Sequence, residues 1–575
     1  MQKPRNVFIA VGGSGTKVAE ALVRLLAMGF PTRRDENNTL TSAGEKLEIW
    51  RLDPDVSSGA GSTLLKAVQA YQQLQEILGS KINPDGTVSS RWAMEIDTNI
   101  RQLDPFQLDN HALTSTKKGG MAKTLRGILD TEEEKKPSSK PVLNPFYGAK
   151  DLDITIDRGF YQKPFIGAAV IGVFVETLRD ENTAGGKAVR FNRFQNVPTN
   201  FFLCGSLHGG TGACGVPVTG KFLGEEKLRN ISPEPWRIGA CLLAPYAKPP
   251  QPPLTLLDKE EVTTAEIEAA VKRLDQEVSF NELTPEEKRE LAKQILLGFY
   301  ADPNEMEART RQSLNYFNQQ VASYFNEVYL IGKPVPDTLA YWSNGGQRQV
   351  NPLNSAEVAA AISALNFFSR STSPTGCTHY IAGTTETLDS QKMRLRDLPH
   401  YELGERSTEK IDPERVVLAT AILHHLVLHQ LPWDKPAKGW GNFRLLKHYD
   451  GNTIRQQRDH ISYRQALDII ANSIKATFYS QSDDNGAVLT LGWDKDGDEQ
   501  ELKPLLANKN EYVEQVTGKL ASKTFFNYYE PKEPLTLGSS AIKISTREFS
   551  EIDPGPDYSL GGYLRLLWSL LYEKK

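Results

Sequence analysis

Cysteine is scarce in this chain: four among 575 residues, Cys204, Cys214, Cys241 and Cys377. None stands at metal-ligand spacing and most lie in apolar runs, which predicts buried free thiols in a reducing compartment. No run of about 18 apolar residues occurs, so no membrane-spanning helix is expected. Charge of one sign is also lacking. The net charge of −4 and pI near 6.2 give no general attraction to nucleic acid or anionic membrane. The start, Met1-Gln2-Lys3-Pro4-Arg5-Asn6, has no signal-peptide apolar region, and a cytoplasmic location follows as the expectation. His424, His425 and His429 fall in one helical stretch without the carboxylate of a His-Glu-x-x-His pattern, so they do not predict zinc. One common phosphate-binding signature is missing as well. No Gly-Lys-Ser/Thr follows a glycine-rich stretch.

What is present centres on Phe201 to Pro217. A short apolar run, Phe201-Phe202-Leu203-Cys204, leads into Gly205-Ser206-Leu207-His208-Gly209-Gly210-Thr211-Gly212-Ala213-Cys214-Gly215, then a predicted helix. Glycine has no Cβ and tolerates φ > 0, so backbone N–H groups in such a stretch can turn onto an anion. The following helix offers its positive end and its unpaired amides to the same anion. A structural turn with no ligand is the competing reading, because glycine-rich turns are common.

The chain opens with the same grammar. Val7 to Val11 reads as a buried parallel strand, Gly12-Gly13-Ser14-Gly15-Thr16 as a turn, and Val18 to Leu26 as a helix. That is the first βα unit of a nucleotide-binding fold, or a tight turn needing glycine only for packing. A second strand, Leu47 to Leu52, ends at Asp53, where α/β folds place ligands; an Asx-turn explains the same residue. Gly159 to Gly167 precedes a buried helix and brings Gln162 and Lys163 to its start. Strands are expected again at Arg237 to Leu243 and Glu327 to Gly332. Between them lies a charged, helix-periodic insertion of two to four helices, marked by Thr263-Thr264-Ala265-Glu266 and Thr284-Pro285-Glu286-Glu287. The stretch from Ser355 to Phe368 is apolar nearly all round, as a helix buried between layers should be.

His208 to Cys214 resembles the Gly-Gly-Gly-Thr-Gly-Ser/Ala-Gly signature of the tubulin/FtsZ superfamily, agreeing at five of seven positions. The other elements follow in that superfamily's order over about residues 5 to 370. The resemblance implies an α/β fold: a Rossmann-like parallel-sheet nucleotide domain (1–254), a helical insertion (255–326), a last strand with a buried central helix (327–370), and a mainly helical α+β C-terminal region (371–575). It implies GTP or GDP as ligand, its phosphates on Gly12, Gly13, Ser14, Gly15 and Thr16 and on His208, Gly209, Gly210, Thr211, Gly212 and Ala213. Magnesium would lie near Asp53 through phosphate and water, Gln162 would close on the terminal phosphate, and Asn351 or Asn354 would read the guanine edge. For those two asparagines helix capping is the alternative.

One family feature is not found. Where an acidic loop should follow the central helix, the sequence has Ser369-Arg370-Ser371-Thr372-Ser373-Pro374-Thr375-Gly376-Cys377, and the next acids are Glu386, Asp389 and Asp397. The implied function is a guanine-nucleotide-binding protein that self-assembles as a GTPase. The alternatives are a hydrolysis-deficient switch or scaffold acting through protein partners, and a Rossmann-like enzyme using another nucleotide.

Overall fold

The structure is a computed structural model that describes most of residues 4–106, 124–129, 147–229 and 236–370, strand 378–382, parts of 398–423 and 465–477, and a few later residues. Among the described residues eight parallel strands form one sheet: β1 (Arg5–Val11), β2 (Lys46–Leu52), β3 (Glu95–Ile96), β4 (Arg101–Leu103), β5 (Thr199–Ser206), β6 (Trp236–Leu243), β7 (Glu327–Ile331) and β8 (Thr378–Ala382). Their order is β8-β7-β6-β5-β1-β2-β3, with β4 also on β2. From β1 the chain therefore builds outward to one side first and then to the other. This is a doubly wound, Rossmann-like α/β arrangement.

The strands are mostly apolar on both faces because helices cover both, with Glu48, Arg51, Arg237 and Glu327 as buried charged exceptions. Phe8 and Ala10 of β1 face a layer made by α1 (Gly12–Ala27), α2 (Gly59–Ile77) and α8 (Ser355–Ser369). Val7, Ile9 and Val11 face the opposite layer, α3 (Pro164–Thr177), α4 (Gly210–Arg229) and α7 (Met306–Gln320). Every residue of α8 is buried, as its all-round apolar sequence requires. The insertion consists of α5 (Thr264–Leu274), α6 (Pro285–Leu296) and α7, and it has a small core of its own around Leu274, Phe280, Leu291 and Ile295. Thr263 and Thr284 form the two capping boxes with Glu266 and Glu287.

One expectation is corrected. The sheet does not end at β7, since β8 pairs with it in parallel beyond the central helix, Glu327 opposite Thr378 through Ile331 opposite Ala382. Thr378-His379-Tyr380-Ile381-Ala382 mixes polar and apolar residues, so hydrophobic periodicity did not mark it. The polar stretch after α2 also contributes β3 and β4, two and three residues long, too short for any periodic signal. Near the other end of the chain, Leu564, Arg565 and Trp568 are buried. The Arg565 guanidinium donates to the carbonyls of Gly29 at 2.7 Å and Leu40 at 2.5 Å, so the C-terminal stretch docks beside the end of α1. Residues 371–377, Glu386, Asp389, Asp397, His424, His425 and His429 lie outside the described residues. Among the described residues no helix is long and apolar enough to cross a membrane.

Candidate functional site

Strands β1 and β5 lie side by side, with Ala10 opposite Cys204, and both deliver glycines at their C-terminal ends. From there α1 turns to one face of the sheet and α4 to the other. A crevice opens between diverging connections at such a point, and α/β folds bind ligands there.

The two glycine segments touch. Gly12 has φ of +70°, and a Cβ on it would stand 3.1 Å from Cβ of Thr211. A third segment closes on the second: a Cβ on Gly210 would come within 2.9 Å of the Phe160 carbonyl carbon and 3.0 Å of the Gln162 amide nitrogen. The starts of α1, α3 and α4 are thereby gathered at one place. Neither α1, whose N-cap is Val11, nor α3, whose N-cap is Lys163, receives a side-chain capping hydrogen bond. Neither carries an acidic residue in its first turn. First-turn amides lack the regular intrahelical partner, so α1 presents N–H groups and both ends carry partial positive charge; at α3 Pro164 has no N–H and the Ile166 amide donates to the Lys163 carbonyl at 3.1 Å.

The residues singled out in the sequence divide into three groups. Gly13, Ser14, His208 and Gly209 are partly exposed along the crevice, with Gly12, Gly210 and Thr211 at its base. Gly15, Gly212 and Thr16 serve packing instead. A Cβ on Gly15 would lie 2.3 Å from the Cys204 carbonyl oxygen, and one on Gly212 would lie 2.5 Å from backbone atoms of Ser206. The Thr16 hydroxyl donates to the Gly12 carbonyl at 2.9 Å and accepts from Arg51 at 3.2 Å. Ala213 is buried, its amide donating to the Gly209 carbonyl at 3.3 Å.

The third group, Asp53, Lys163, Asn351 and Asn354, is held by its own partners. Asp53 is buried; Oδ2 pairs with Arg51 at 3.0 Å and Oδ1 accepts the Asp55 amide at 3.1 Å. Desolvation raises its pKa from 3.8 to about 6, with the Arg51 charge opposing. Lys163 pairs with Asp151 at 2.7 Å and lies over the Phe299 ring. Asn354 caps α8, its Oδ1 accepting the Ala356 amide at 3.1 Å and its Nδ2 donating to Asp337 at 2.7 Å. Capping is thus the role the structure gives it. For Asn351 the backbone carbonyl accepts from Lys17. His208 keeps a neutral ring at pH 7, because burial lowers its pKa from 6.5 to about 4. It sits edge-on to Tyr246 at 6.0 Å, with Nδ1 enclosed and lacking a hydrogen-bond partner. Gln162 is buried with φ of +58°, and its Oε1 likewise has no partner.

No protein-family model, curated protein or solved structure matches this chain. The geometry therefore stands by itself. Among the described residues no cluster of three or more histidine, cysteine or acidic side chains could hold a metal ion. The two engaged oxygens of Asp53 do not fit direct ligation of one.

Sequence reasoning missed the α1-side wall. Tyr246 donates its hydroxyl to Glu357 at 2.8 Å and lies 3.1 Å from the Ser14 hydroxyl. Lys17 donates to the Pro352 carbonyl at 2.6 Å and stands 3.7 Å from Glu357. These contacts tie the glycine turn to the start of α8. Lys17, one residue after the turn, was the visible signal. Arg51 was overlooked too, although it fastens α1, the turn after β2 and β4 through Thr16, Asp53, Ser58 and Gln102.

Proposed function

We propose that the crevice between β1 and β5 binds the phosphates of a nucleotide, and that the chain is a tubulin-like guanine-nucleotide-binding protein. The observation that carries this reading is the meeting of Gly12 with Thr211 and of Gly210 with Gln162, which gathers helix starts without side-chain caps around one spot. Such ends are suited to an anion. The succession of elements along the chain follows the order expected from the superfamily whose signature His208–Cys214 resembles, which supports the reading. Magnesium would arrive with the phosphates. Asn351 is the better of the two asparagine candidates for the base, since Asn354 is occupied as a cap.

A second reading has specific support. Among the described residues, three carboxylates near the crevice are engaged internally: Asp53 on Arg51, Asp55 on the Gly346 amide at 2.6 Å, and Glu357 on Tyr246 and Lys17. None of these three stands open to orient a water, which favours a nucleotide-holding switch or scaffold over a polymerising GTPase.

Equilibrium binding of GTP, ATP and NAD to the purified protein, with phosphate release followed across protein concentration, tests both. Tight GTP binding with release rising more than linearly in protein supports a self-assembling GTPase. Binding without release supports the switch. A Gly210→Val variant should lose binding, because the new side chain meets backbone of Phe160 and Gln162. Absence of nucleotide binding by the wild-type protein ends the proposal.

A further inference from the structure

The helical insertion reaches the crevice through two strained residues. Tyr161 and Gln162 are consecutive non-glycine residues with φ of 47° and 58°. This left-handed region is unfavourable for side-chain-bearing residues, and runs of it need outside support. Part of the support is local, the Lys163 amide donating to the Phe160 carbonyl at 2.7 Å and the Tyr161 hydroxyl to the Thr155 carbonyl at 2.9 Å, and the rest comes from the insertion. Arg309 on α7 donates Nη1 to the Gln162 carbonyl at 2.9 Å, while Glu305 holds its Nε at 3.0 Å. Gln294 on α6 places Nε2 3.4 Å from the Tyr161 hydroxyl. The Phe299 ring packs edge-on against Tyr161 at 5.8 Å and carries the Lys163 ammonium 4.0 Å from its centre. On the other side, the Gln162 amide nitrogen faces Gly210 at the start of α4. One residue thus has its carbonyl in the grip of the insertion and its amide against the crevice.

We propose that Arg309 is a positioning residue: by holding the Gln162 carbonyl, the insertion keeps the Tyr161–Gln162 segment in the shape that completes the crevice for a phosphate group. The proposal rests on the phosphate-binding reading above. Because coupling is reciprocal, anything docking on the insertion and moving α7 changes ligand affinity, and bound ligand tightens the insertion by the same factor.

The test compares Arg309→Gln with Arg311→Gln, which removes the same charge from the same helix at an exposed pair with Glu307. Amide exchange over residues 159–163 is measured in the ligand-free proteins, and binding of Mg·GTP and of inorganic tripolyphosphate is measured alongside. Arg309→Gln should speed exchange and weaken both ligands about tenfold, while Arg311→Gln changes neither. Glycine holds φ > 0 unaided, so Gln162→Gly should shrink the effect of Arg309→Gln in the double variant. That arm separates repositioning from general unfolding. Unchanged exchange in Arg309→Gln overturns the proposal. Faster exchange with unchanged affinity overturns the coupling yet leaves the phosphate reading intact. If the wild type binds neither probe, the phosphate reading fails and takes the coupling with it.

Discussion

The helices of this molecule begin in two ways. Ser58, Thr263, Thr284 and Asn354 cap α2, α5, α6 and α8 with their own side chains. The last three of these also carry a glutamate in the first turn. By contrast, α1 and α3 start from Val11 and Lys163 with neither a side-chain cap nor an acid. A capped end has answered its own electrostatic and hydrogen-bonding demand. An end without cap or acid still offers both, and the two that do so here open on the same crevice. The difference separates helix starts built to stabilise the fold from starts left available to a ligand. Among the longer helices α7 is the intermediate case, having no side-chain cap but Glu307 in its first turn.

Gly13→Asp breaks this comparison most directly, by giving α1 the acid it lacks. The carboxylate should stabilise the ligand-free protein by about 0.5 kcal/mol through the helix dipole and lower nucleotide affinity roughly a hundredfold. Thermal denaturation and calorimetric titration read the two effects. Undiminished affinity would mean that the start of α1 does not face the ligand.

Asp53 sharpens the other side, because it lies with Arg51 and Ser58 at the self-satisfied start of α2. Its folded-state pKa of about 6 exceeds the ordinary 3.8. The folded state therefore holds this proton more tightly, so the residue's contribution is greatest below pH 4 and is lost as pH rises through 6. A shift of that size corresponds to about 3 kcal/mol across the window. Asp53→Asn should remove this decline, so urea denaturation from pH 4 to 7 should show the variant gaining on the wild type as pH rises. A constant gap would show that Asp53 is not the group responsible.

Asn354→Ala should have the smallest effect, a stability loss of about 1 kcal/mol from the missing cap, with ligand affinity unchanged. A marked fall in affinity at equal stability would return Asn354 to the list of base-reading residues.

Much of the fold was legible because its parallel strands are buried on both faces. Such strands are expected as apolar runs, and β1, β5, β6 and β7 each contain one, whereas β2 alternates charged Glu48 and Arg51 with apolar residues. The capping boxes at Thr263 and Thr284 were legible for a local reason, since cap and partner lie three residues apart. Strands β3, β4 and β8 were not, being too short or too mixed to carry a period. The crevice was half legible. Its glycines announced themselves, yet which of them approach each other and which merely admit a neighbouring strand depends on atoms far away in sequence.

By itself, then, the sequence determined the strand runs, the all-round apolar central helix, the capped insertion helices and the places where backbone could approach closely, because each is a property of contiguous residues. Tertiary structure decided the partners. It gave Asp53 to Arg51 and Asn354 to the cap of α8, set Tyr246 between Ser14 and Glu357, and laid Arg309 on a left-handed Gln162. A charged or polar side chain bonds whatever the fold brings within about 3 Å, and that neighbour is fixed by packing across the whole chain rather than by spacing along it.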